Sequence, residues 1–176
     1  YRTGLIRYST AGEVVDFLKT RRVLQTERDL HDLFADLTGD AVVVEPGPTG
    51  NLFTPISGKF IVMTNFPNTT TQGIPYQEVT GVGADRYRIA YSHIQDHLEV
   101  FDLELALETL SRAASTEGYT TQASMVFLPE ENEVYIALDR DYDHLWKASL
   151  EEETIEAYRG FPGKGKVHLG PSGITE

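Results

Sequence analysis

An apolar run that breaks off at Thr64-Asn65, inside GKFIVMTNFPN (58–68), puts a neutral carboxamide where a strand is expected to meet a loop. A side-chain amide so placed can donate hydrogen bonds to an oxygen gaining negative charge, the stabilisation on which much amide and ester chemistry depends. Downstream, ADRYRIAY (84–91) opens a helix with Arg86 near its start. Each residue also has a plainer reading. Asn65 can close the loop that follows the strand, as Asn often does. Arg86 can be a surface helix residue paired with Asp85 or Glu78, and Arg88 would point elsewhere on that helix.

Two histidine groupings complete the candidates. His93 and His97 stand four apart with Asp96 adjacent, a spacing that permits two metal ligands on one helix face. Neither a third ligand nor a glutamate placed as base accompanies them, so no metal is assigned, and both are expected to be exposed polar helix residues. His31 and Asp32 are neighbours on a strand and should face opposite ways, which argues against an acid–base pair. The sequence has no cysteine, hence no disulfide, no thiolate zinc site and no thiol nucleophile of its own. No cofactor is expected.

These residues need elements to hold them. Thr10-Ala-Gly-Glu13 reads as a capping box; Val14, Val15, Phe17 and Leu18 give the helix after it an apolar face, and Arg21-Arg22 suit its C-terminal end. Leu30–Glu45 reads as a hairpin turning at Thr38-Gly39-Asp40. Gly47-Pro48-Thr49-Gly50 is a second turn, leading through 51–53 to a strand at Lys59–Met63. The expected pairing is antiparallel, 41–45 with 59–63. The loop 66–83, rich in Pro, Thr, Gly and Asn, is long enough to suggest function. Tyr87, Tyr91, Ile94 and Leu98 line one helix face, the two tyrosines as core residues. Asp102 caps a second helix with Leu103, Leu107, Leu110 and Ala114 inward. Both helices, 84–98 and 103–115, are expected on one face of the 41–45/59–63 sheet. Gln122–Leu128 and Glu133–Leu138 make a second hairpin, followed by weaker strands near Leu145–Leu150 and Thr154–Tyr158. The Gly- and Pro-rich residues 161–176 read as a flexible tail after one domain at 1–160. Strands, then helices, then strands indicate an α+β protein.

At 176 residues, with 40 % hydrophobic and 24 % charged residues, the chain can form one domain with a substantial core. The net charge of −12 argues against nucleic acid, which needs Lys and Arg to displace counterions, and against an anionic membrane surface. No apolar run is as long as a membrane span and no signal peptide opens the sequence as given, but Tyr1 rather than Met stands first, which leaves a leader upstream open. The compartment is unreadable without cysteine, the cytoplasm being slightly favoured, and homo-oligomer formation stays open.

From Gly4 to Tyr158 the order of segments resembles the C-terminal part of the cysteine-dependent N-terminal-nucleophile (Ntn) hydrolases. The similar branch includes choloylglycine (bile salt) hydrolases, penicillin V acylases and acyl-coenzyme A:6-aminopenicillanic acid acyltransferases. The strings that carry it are GLIRYSTAGEVVDFLK, LHDLFADLTGDAVVVEPG, KFIVMTNFPN, ADRYRIAY and SMVFLPEENEVYIALDRDYDHLWKASL. The resemblance implies a four-layer αββα sandwich with antiparallel sheets. It implies attack by an N-terminal Cys thiolate on an amide carbonyl, with the chain's own α-amine moving the proton. By motif match it assigns oxyanion binding to Asn65 and buttressing of the nucleophile to Arg86, with Asp85 where the family usually carries a small Ser.

The family's cysteine precedes everything in this sequence, so its N-terminal part is expected to be missing. A companion chain from the same precursor is the first expectation, a fragment the second, and a degenerate binding module the third. The expected partner is a small-molecule acyl amide, neither nucleic acid nor membrane. The leading function is a hydrolase or acyltransferase of linear, non-peptide amides; the rival is a non-catalytic ligand-binding or scaffold domain of the same fold.

Overall fold

The structure is a computed structural model that describes residues 8–21, 31–163, 165–170 and 173–175. The expectations for residues 4–7, Arg22 and Leu30 lie outside the described residues. The chain forms two compact units, Tyr1–Ser92 and His93–Glu176. Both combine helix with antiparallel sheet, so the α+β class expected from the patterning is the class observed.

In the first unit, helix α1 (Ala11–Lys19) starts on the expected capping box: the Thr10 side chain accepts from Glu13 N and the Glu13 carboxylate accepts from Thr10 N. The backbone N–H groups of Ser9 and then Thr10, both donating to that carboxylate, hold it below the usual glutamate range. Asp36 accepts from Ala11 N at 2.8 Å, and Asn51 Nδ2 donates to Leu18 O and Arg21 O, so both helix ends are tied to the sheet beside them. That sheet has the order β1 (Asp32–Ala35), β2 (Ala41–Pro46), β3 (Asn51–Pro55), all antiparallel. Phe34, Val42 and Val44 pack against Ala11, Val14 and Leu18.

One expectation is corrected here. Lys59–Met63 is not a strand; β2 pairs instead with Asn51–Pro55, Val44 opposite Phe53. The turn at 47–50 is tight, with Gly47 N bonded to Gly50 O at 2.8 Å, and it delivers the chain straight back along β2. That edge is filled before residue 59 is reached. Lys59–Met63 runs without a ladder among the described residues, with Val62 buried.

Helix α2 (Ala84–His97) contains the boundary between the units. In the second unit, helix α3 (Leu103–Ala113) is capped by Asp102, which accepts from Leu105 N at 3.0 Å. Leu107, with Leu103 and Leu110, packs on Val126, Tyr135, Ala137 and Leu145. The sheet that α3 covers is therefore the second one, not the 41–45 sheet expected for it. The strands are β4 (Ala123–Leu128), β5 (Glu133–Leu138), β6 (Asp141–Ser149), β7 (Thr154–Arg159), β8 (Lys166–Gly170) and β9 (Gly173–Thr175), antiparallel neighbours in that order.

Residues 166–170 and 173–175, expected within a flexible tail, thus extend the sheet. The open edge of β7 offers backbone partners that outweigh the turn-rich composition. Strand β6 also begins earlier than expected, at Asp141, because Asp139 and Arg140 both take positive φ and close a two-residue hairpin. The sheet face away from α3 is apolar as well, with Met125 opposite Ile136 and Ile136 opposite Trp146; a concavity of about 500 Å³ there is lined by Ile136, Leu138, Trp146, Ile155, Gly165 and Val167. No helix among the described residues is long and apolar enough to cross a membrane.

Candidate functional site

Asn65 and Arg86, 21 positions apart, are brought into direct contact: the Arg86 guanidinium hydrogen-bonds Asn65 Oδ1. Chemistry fixes which way the amide faces. Arginine has only donors, so it is the oxygen of Asn65 that meets it, and the Nδ2 hydrogens are left facing away. Asn65 itself is exposed, between half-buried Thr64 and buried Phe66. Its carbonyl oxygen therefore meets Arg86 rather than closing its own loop. Asp85 is exposed, and Arg86 pairs with neither Asp85 nor Glu78 among the described residues.

Phe66 sets that outward posture. Its ring sits in a small core with Val79 and Ala84, against Tyr87 at 5.2 Å between centroids. Tyr87 in turn lies 5.8 Å from Tyr91, which stacks on Tyr76 at 4.5 Å and meets Phe60 edge-on at 4.9 Å. Burial raises the Tyr87 hydroxyl above the usual tyrosine range, with Tyr91 adding to it. The tyrosines that the helical spacing assigned to packing are thus found in an aromatic cluster under the site. Arg88 donates to Val79 O at 2.6 Å and ties the end of the 66–83 loop to α2.

Gly83 is a site residue that the sequence reading passed over. It has φ +84°, and a Cβ there would come 3.0 Å from Arg86 Nη2 and 3.1 Å from Asn65 Oδ1. Only glycine combines that conformation with the room the contact needs. Gly81-Val82-Gly83 immediately before a helix was the available signal.

Beneath the loop, Glu45 lies in β2 with only 3 % of its surface exposed. Its Oε1 accepts from Asn68 N at 2.5 Å and its Oε2 from Thr69 N at 3.0 Å, while His31 Nδ1 stands 3.5 Å from Oε1. Asn68 is also buried, and its Nδ2 donates to Val62 O at 3.0 Å. Thr64 Oγ1 and Asn68 Oδ1 are buried without a hydrogen-bond partner among the described residues.

The His93/His97 pair differs from expectation. His93 is 5 % exposed rather than a solvated helix residue. The Thr109 hydroxyl donates to Leu105 O at 2.7 Å, so it accepts from His93 Nδ1–H at 2.8 Å. Among the described residues His93 Nε2 has no hydrogen-bond partner, and it lies 3.7 Å from the Glu108 carboxylate. Glu108 is held below the usual glutamate range chiefly by its bond to Arg112. Among the described residues no three His, Cys, Asp or Glu side chains are grouped to hold a metal ion.

No protein-family model and no curated protein sequence matches this chain. Two solved structures are similar to it: an arginine-to-leucine variant and a cysteine-to-alanine mutant of conjugated bile acid hydrolase from Clostridium perfringens. Each is 16 % identical at a TM-score of 0.46 and covers 93 % of this chain. This chain spans 63 % and 64 % of their respective lengths.

Proposed function

We propose that this chain carries the oxyanion-binding part of an amide-bond hydrolase or acyltransferase whose nucleophile is an N-terminal cysteine outside these 176 residues. The observation that carries the reading is the Arg86–Asn65 contact, which presents the Asn65 amide hydrogens outward from an exposed position. It stands with the motif resemblance to the choloylglycine hydrolase, penicillin V acylase and acyltransferase branch of the Ntn hydrolases, in which an Asn and an Arg are expected at these two positions.

In this mechanism a thiolate sulfur attacks the carbonyl carbon of an acyl amide and the carbonyl oxygen takes up negative charge. Asn65 Nδ2–H donates to that oxygen as the tetrahedral species forms. Arg86 does two things for Asn65. It locks the carboxamide in the donating orientation before substrate arrives, and its charge on Oδ1 polarises the amide, which strengthens Nδ2–H as a donor. The α-amine of the cysteine carries the thiol proton to the leaving nitrogen, and the C–N bond breaks to leave a thioester. Water then releases the acid in a hydrolase, or an amine takes the acyl group in an acyltransferase.

The substrate class is a small acyl amide, with no nucleic acid or membrane partner. The chain is the C-terminal portion of its enzyme, alongside a companion from the same precursor. Intact-mass measurement and N-terminal sequencing of the purified protein test this. A linked or co-purifying polypeptide that begins with Cys is expected; a single Cys-free product that hydrolyses no acyl amide would instead point to a non-catalytic scaffold.

A further inference from the structure

We propose that Glu45 is a positioning residue for the Asn65 donor, acting through a buried clasp that fixes the loop on which Asn65 stands. The proposal rests on the reading of Asn65 as an oxyanion donor and extends it to Glu45, which holds the loop through Asn68 and Thr69.

The sequence of β2 makes the glutamate conspicuous. Ala41, Val42, Val43 and Val44 are buried and apolar, and Glu45, next along the strand, is buried as deeply as they are. A carboxylate taken out of water is costly unless its oxygens are met by donors. Here both oxygens are met, and by backbone amides of one short stretch, Asn68 N at 2.5 Å and Thr69 N at 3.0 Å, with His31 Nδ1 3.5 Å from Oε1. Hydrogen bonds to an ionised acceptor are about twice as strong as neutral ones.

What the clasp holds decides its meaning. Asn68 Nδ2 donates to Val62 O, which ties residue 68 back to residue 62 and closes the base of a loop with Asn65 at its middle. Val62, Phe66 and Asn68 are buried while Asn65 is exposed. The loop is therefore fixed at its two feet and by one inward ring, and the residue left facing out is the one that Arg86 orients. Lys59–Met63 lies outside the strands among the described residues, and the tethers to Glu45 fix the loop that follows it. Glu45, from the rigid middle strand of its sheet, sets where Asn65 can be.

The test uses ¹⁵N-labelled protein as isolated, with Glu45→Gln and, as a second variant that leaves no unpaired buried charge, Asn68→Ala. Gln has one acceptor oxygen in place of two, so one amide tether is lost. Exchange of the Asn68 or Thr69 amide proton is expected to speed up about 10- to 100-fold relative to that of β4–β5 amides. The Asn65 side-chain NH₂ signals are expected to shift or broaden in both variants. In the cysteine-containing enzyme, both should lower kcat about 10- to 100-fold with KM within about twofold. Should Glu45→Gln not fold, Asn68→Ala, which cuts the other foot of the clasp at Val62 O and keeps both backbone tethers, tests it through Thr69 amide exchange, the Asn65 signals and kcat. Unchanged exchange and unchanged Asn65 signals overturn the proposal and leave the role of Asn65 standing. Altered signals with an unchanged kcat also overturn it. An Asn65→Ala enzyme of normal kcat overturns the reading of Asn65, and the proposal with it.

Discussion

Gly83→Ala separates backbone strain from disturbance of the site, provided Gly39→Ala is measured beside it. Both glycines hold nearly the same left-handed conformation, φ +84° at Gly83 and +87° at Gly39. Alanine there costs about 1–2 kcal/mol of backbone strain, offset by roughly 0.4–1 kcal/mol from a stiffer unfolded chain. Both variants should therefore lose about 1 kcal/mol, a fall in Tm of about 2–4 °C at this chain length. Their surroundings differ. A Cβ at Gly39 meets nothing within 4 Å, whereas at Gly83 it comes 3.0 Å from Arg86 Nη2 and 3.1 Å from Asn65 Oδ1. Both of those atoms end flexible side chains, so they can move aside at little cost in stability. The effect is expected in geometry instead, and sites of this kind tolerate displacements of only about 0.5 Å. Thermal unfolding should thus place the two variants within about 2 °C of each other. The Asn65 side-chain amide signals should shift only in Gly83→Ala, and that variant alone should lose about 10-fold or more in kcat. Equal shifts in both variants, or none in Gly83→Ala, would refute the claim that Gly83 makes room for the Arg86–Asn65 contact.

Thr109→Val should destabilise the fold by about 1–3 kcal/mol, because it leaves buried His93 Nδ1–H without an acceptor, while Thr109→Ser should retain most of the stability; chemical denaturation reads both. Glu133 gives a pH dependence of defined sign. The Tyr135 hydroxyl and then Lys147 hold its carboxyl below the usual glutamate range, so its contribution is present above that range and is lost as pH falls below it. Glu133→Gln should flatten the acid limb of a stability profile from the usual glutamate range downward, and an unchanged limb would refute the assignment. Turnover of acyl amides by the 176-residue chain alone should be absent, since it holds no cysteine; activity surviving in a mass-verified preparation of it would exclude the thiol mechanism.

Much of the frame was readable because it depends on local rules. The Thr10 box, the Asp102 cap and the 122–138 hairpin each follow from a few neighbouring residues, and each is found. What failed depends on competition between distant segments. Lys59–Met63 has a strand's composition, yet β3 already occupies the edge of β2 it would need. The β5–β6 turn was hidden because Asp139-Arg140 takes positive φ without glycine, and the last two strands because their glycines and prolines look like tail. At the site, Asn65 and Arg86 stood out by type and setting, whereas their contact did not, being a matter of how the 66–83 loop folds back. Glu45 was invisible as a partner for the same reason, since nothing local says that an acid at the end of a valine run will meet backbone amides 23 and 24 positions away.

The central claim is that Asn65 donates to a developing oxyanion, and turnover of the Asn65→Ala variant of the cysteine-containing enzyme tests it most directly. Because the side chain is exposed and outside the packed core, Tm should stay close to that of the parent. Loss of one oxyanion donor should lower kcat about 100- to 1000-fold, roughly 2.7–4 kcal/mol of transition-state stabilisation, with a much smaller change in KM. A kcat within about threefold of the parent at matched Tm would contradict the account and leave Asn65 as the surface partner of Arg86.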